Sequence, residues 1–110
     1  MVLEEWPGGV RITIPPRFSI GSPSIVELDD TALYLRNILS DPSSQETGLN
    51  LDRPRRDLYE VRFVGHSGNL FIRAHGHQII DCRPHRDPKV VEWIAEELNR
   101  LLGLNTPHNS

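Results

Sequence analysis

The chain has a single cysteine, Cys82, so no internal disulfide can form. It has no apolar run that approaches the length of a membrane span, and its first residues lack the apolar stretch of a secretory signal. It has no excess of positive charge. The formal net charge is -3 and the pI is near 5.9, so nothing in the totals favours nucleic acid or an anionic membrane surface. It has no internal repeat, GxSxG elbow, P-loop, paired zinc motif or GxGxxG, and no nucleophile stands with an evident base. The expectation is a cytoplasmic protein that is not an enzyme, with no cofactor, no nucleic-acid partner and no transmembrane segment. Hydrophobic residues at 37% and charged residues at 25% over 110 positions suit one folded domain with one core.

The clearest stretch is Asp87 to Gly103, DPKVVEWIAEELNRLLG. Asp87 can cap a helix whose first residue is Pro88, where no N–H is needed. Val90, Val91, Ile94, Ala95, Leu98, Leu101 and Leu102 fall on one face at helical spacing. Lys89, Glu92, Glu96, Asn99 and Arg100 fall on the other, which predicts Asn99 in water. Gly103 can end the helix in the left-handed conformation.

Everything before it reads as strands. Val10, Ile12 and Ile14 alternate with Arg11 and Thr13, and Pro15-Pro16 ends that strand. Ser24 to Asp29 and Ala32 to Asn37 match in length around Asp29-Asp30, which predicts a hairpin. The same residues, 31–39, could instead form a helix capped by Asp30. Asp57 to Val64 is a further strand, with Tyr59, Val61 and Phe63 on the core side. Leu70 to His75 and His77 to Cys82 follow, with turns at Gly65 to Asn69 and at Gly76. The expected boundaries are a loose N-terminus over 1–7, a domain over 8–104, a mobile loop over 40–54 and a flexible tail over 105–110. The fold class is mainly β: about six strands in a bent antiparallel sheet or partly open barrel, closed by the C-terminal helix.

This order, with GGVRITIPPR (Gly8 to Arg17), PRRDLYEVRFV (Pro54 to Val64) and the helix segment, resembles the bacterial pleckstrin-homology (PH)-like domains. The resemblance implies a bent sheet or partly open barrel closed by a helix, and a binding or interaction module whose partner is another protein. In many such relatives apolar membrane segments follow the IPPR-like strand. FSIGSPS stands there in this chain, so membrane association is not implied.

Three groups could carry chemistry. His75 and His77 lie two apart, so on a strand both would point the same way, and Cys82 and His85 could complete a tetrahedral zinc site. Gly76 between the histidines and a buried, inert Cys82 are the plainer reading, so no metal is expected. Arg53, Arg55 and Arg56, with Arg62 and Arg73, could hold a phosphate or anionic lipid headgroup. Pairing with Asp52, Asp57 and Glu60 is the plainer reading there. Trp93, beside the apolar stripe of the helix, could rim a partner groove or cap the core edge.

Overall fold

The chain builds two antiparallel meanders and one helix, seen in a computed structural model that describes residues 1–16, 23–38, 48–76 and 78–103. The first meander runs β1 (Val2–Trp6), β2 (Gly9–Ile14), β3 (Ser24–Leu28), β4 (Ala32–Ile38) and β5 (Leu49–Pro54), each strand paired with the next. A single 3-10 turn, Arg55–Asp57, leads into the second: β6 (Leu58–Val64), β7 (Asn69–Ala74) and β8 (Gln78–Cys82). The helix α1 (Pro88–Leu102) follows and packs on β6 and β7. The mainly β class and the closing helix agree with the expectation from sequence. No helix among the described residues is long and apolar enough to cross a membrane.

Local chemistry explains the turns. Pro7 and Gly8 join β1 to β2, and Gly8 takes φ 89, which a side chain resists. Next to it, a Cβ on Gly9 would run into the indole of Trp6, its cross-strand partner. Asp29 settles the hairpin against the helical alternative for 31–39. Its Oδ1 accepts the N–H groups of Thr31 and Ala32, both at 2.8 Å, and turns the chain between β3 and β4.

The inner faces of both sheets and one face of α1 share one aliphatic core. Ile12, Val26 and Leu35 are consecutive cross-strand partners, all fully buried. Leu70, Ile72, Ile80 and Val61 come from the second sheet, and Val91, Ile94, Ala95 and Leu98 from the helix. Asp87 caps α1 by accepting the Lys89 N–H at 3.0 Å, and Gly103 closes it at φ 69.

Several expectations are corrected. Eight strands are present among the described residues, not about six. Residues 1–7, expected to be loose, hold β1, paired along its whole length with β2. The loop expected over 40–54 holds β5 over its second part, and its first part, 40–47, lies outside the described residues. The expected tail over 105–110 also lies outside them. Tyr59 is not on the core side: a bulge between Leu58 and Glu60 leaves it 45% exposed, while Val61 and Phe63 do face the core. Asn99 is not in water. It is 4% exposed, and its Nδ2 donates to the Val61 carbonyl of β6 at 2.9 Å.

Candidate binding face

The register of the first meander lines up one polar row across all five strands. Glu4 stands opposite Arg11, Arg11 opposite Glu27, Glu27 opposite Tyr34 and Tyr34 opposite Asp52. On β2, β3 and β4 these side chains occupy the face turned away from the core, because the residues flanking them, such as Ile12, Val26 and Leu35, are buried, and the register carries the row on to Glu4 and Asp52. With Thr13, Ile25 and Arg36, the first four of them line a shallow depression of about 330 Å³.

Opposite charges hold this face in place. Arg11 Nε meets Glu27 Oε1 at 2.5 Å, and Arg36 meets Asp52 Oδ1 at 2.5 Å. Arg36 also donates to the Leu35 carbonyl at 2.9 Å, and its guanidinium lies 5.8 Å from the centre of the Tyr34 ring. The hydrogen bond to Glu27, and then its charge, raise the pKa of Arg11. The hydrogen bond to Asp52 raises that of Arg36. Burial, and then the negative charges of Asp29, Asp52 and Glu27, raise that of Tyr34. The two guanidinium groups therefore stay cationic and the phenol stays neutral through neutral pH.

The groups picked out from sequence are distributed differently. The arginines do not form one cluster. Arg55 donates to the carbonyls of Asp29 at 2.9 Å, of Gly8 at 3.3 Å and of Leu101, so it fastens two turns to the end of α1. Arg53 donates to the Asp52 carbonyl, and Arg56 is exposed. Arg62 and Arg73 lie on the second sheet at 3.8 and 3.5 Å from Glu60.

Among the described residues, His75, Cys82 and His85 are likewise not grouped as a metal site. His75 is exposed in the turn before β8, not on a strand, with its ring tilted against that of Tyr59 at 5.0 Å between centres. Cys82 is at the far end of β8, about 13 Å from its start at 3.3 Å per residue, and is buried. Burial, then Asp81, pushes its thiol up to about 12. His85 Nδ1 accepts the Asp87 N–H at 2.9 Å, and burial lowers its pKa. His77 lies outside the described residues. Among the described residues no three His, Cys, Asp or Glu side chains are grouped to hold a metal ion. Trp93 is half-buried and packs against the core.

Sequence reasoning passed over Glu4, Arg11, Glu27, Tyr34 and Arg36 as a group. Their signal is opposite charge at matching outward positions of successive strands, and it becomes visible only once the register is known. Family models, curated proteins and solved structures contain no match to the chain.

Proposed function

We propose that this chain is a non-catalytic PH-like interaction module working in the cytoplasm, and that it binds another protein through the outer face of its five-stranded sheet. The observation that carries this reading is the polar row from Glu4 to Asp52 over an open depression, with both guanidinium groups already held by carboxylates. Side chains fixed before binding lose little freedom when a partner arrives. Tyrosine and arginine are also the residue types that carry interface energy most often.

The charge states favour recognition over catalysis. General acid–base chemistry works best with a pKa near the working pH. Tyr34, Arg11 and Arg36 are all shifted away from neutrality.

The test is affinity capture from native cell extract, with the captured proteins identified by mass spectrometry. The wild-type chain is compared with Tyr34→Ala and Arg36→Glu, each shown by circular dichroism to be folded. The reading expects a protein that the wild type retains and both variants retain at least tenfold less. If every protein captured by the wild type is captured equally by both variants, this face is not the binding surface.

A further inference from the structure

The five-stranded sheet stops at β1, and no described strand pairs with the far side of it. All five residues of β1 are exposed, including Val2 at 56%, Leu3 at 41% and Trp6 at 39%. An edge strand presents a row of unpaired N–H and C=O groups that can accept a further strand. The opposite edge of the same sheet, β5, ends in Pro54, which has no N–H to offer. We infer that β1 takes an extended basic segment of the partner protein as a sixth strand.

Charge decides the kind of segment. From β3 outward the polar row reads Glu27, Arg11, Glu4: negative, positive, negative. Arg11 turns its guanidinium to Glu27, which leaves the Glu4 carboxylate at the rim. A strand added beside β1 places a side chain directly opposite Glu4, and opposite charges there are favourable. The next residue, Glu5, faces the other side and is already paired with Arg100 at 3.0 Å.

The fitting segment therefore has Lys or Arg opposite Glu4 and apolar side chains opposite Val2, Leu3 and Trp6. Backbone hydrogen bonds supply affinity in such strand addition, and the alternating side chains supply selectivity. A second copy of the chain fits less well: pairing two β1 strands about Glu4 sets carboxylate against carboxylate.

This inference rests on the reading of the chain as an interaction module, and its test can fail separately. Two blocked five-residue peptides are titrated into isotope-labelled full-length chain and followed by amide NMR. One has a central lysine flanked on each side by valine and isoleucine, and the other has glutamate in its place. The lysine peptide is expected to shift amides of Val2 to Trp6 and of β2, and to bind at least tenfold tighter than the glutamate peptide. In a Glu4→Lys variant the preference should reverse.

Equal binding of the two peptides, no binding of either, or shifts confined to β5 or β8 would overturn the inference. So would concentration-dependent dimerisation of the free chain through β1. Should Arg36→Glu still abolish capture of a native partner while Glu4→Lys does not, the interaction module stands and the added strand falls. If neither substitution affects capture, both fall.

Discussion

Single side chains decide more of this fold than their residue types suggest. Asn99 falls on the polar side of the helix by periodicity, yet it is buried and satisfies a carbonyl of β6, which among the described strands pairs with β7 alone. Periodicity separates apolar from polar positions. It cannot say that a polar position meets an unpaired sheet edge, because that depends on how α1 sits. Asn99→Ala should therefore cost about 1–3 kcal/mol in a urea melt, the penalty for leaving a buried carbonyl without its donor. A variant as stable as wild type would mean that water reaches the Val61 carbonyl.

Cys82 gives a second residue-scale expectation. Its thiol ionises near its ordinary 9.0 in the unfolded chain but holds its proton to about 12 when folded. The folded state thus binds more protons between those values, and its contribution to stability falls as pH rises from about 9 towards 12. Thiolate absorbance of the native protein should stay low at pH 10 and appear at once on adding denaturant. His85 works in the other direction. Burial lowers its pKa, so its contribution is intact above the unfolded value of about 6.5 and is lost as pH falls below it. Stability followed from pH 7 to 5 should drop less steeply in His85→Gln than in wild type. Parallel curves would show that His85 is not coupled to folding.

At the scale of elements, legibility followed alternation. β2 reads Val, Arg, Ile, Thr, Ile, and its inward residues are buried as the alternation requires. β1 reads Val, Leu, Glu, Glu, Trp, with two apolar and two acidic residues side by side, because neither face of an exposed edge strand is selected for burial. β5 escaped notice for the same reason: Leu49, Asn50 and Asp52 are exposed, and turn-forming residues precede it. The bulge at Tyr59 reversed one strand position because an extra residue breaks the period of two. The helix was legible in its extent, since its cap, its Pro88 and its Gly103 all act locally, while the burial of Asn99 was not. Leu98 is fully buried in the middle of its stripe. Leu98→Ala should cost about 2–5 kcal/mol through lost transfer energy and a cavity. Glu96→Ala, exposed on the same helix, should change little in the same melts. Equal loss in both would mean that helix propensity, not docking, sets the effect.

At the scale of the molecule, Arg55 joins parts that lie far apart in sequence. Its guanidinium reaches the Gly8 carbonyl beside the β1–β2 turn, the Asp29 carbonyl at the β3–β4 turn and the Leu101 carbonyl in the last turn of α1. The last carbonyls of a helix have no intrahelical partner and carry its negative dipole end, so a cation there is doubly suited. From sequence Arg55 stood in a run of arginines that suggested an anion site. The run is local, but its three acceptors are 26 to 47 residues away, and only the folded topology brings them together. Replacing Arg55 with alanine removes the donor from three carbonyls at once and cuts its link between the end of α1 and two turns of the first sheet. Hydrogen bonds to a charged group contribute roughly 1.5–3 kcal/mol, so Arg55→Ala should lower stability by about that much. Lysine keeps the charge but loses the planar fork, so Arg55→Lys should recover only part of it. Amide exchange distinguishes this role from a general loss of stability. In Arg55→Ala the amides at the end of α1 and in both turns should exchange faster together, while those of β7 keep their protection relative to the global value. If phosphate instead stabilises the wild type and leaves Arg55→Ala unchanged, Arg55 belongs to an anion site after all.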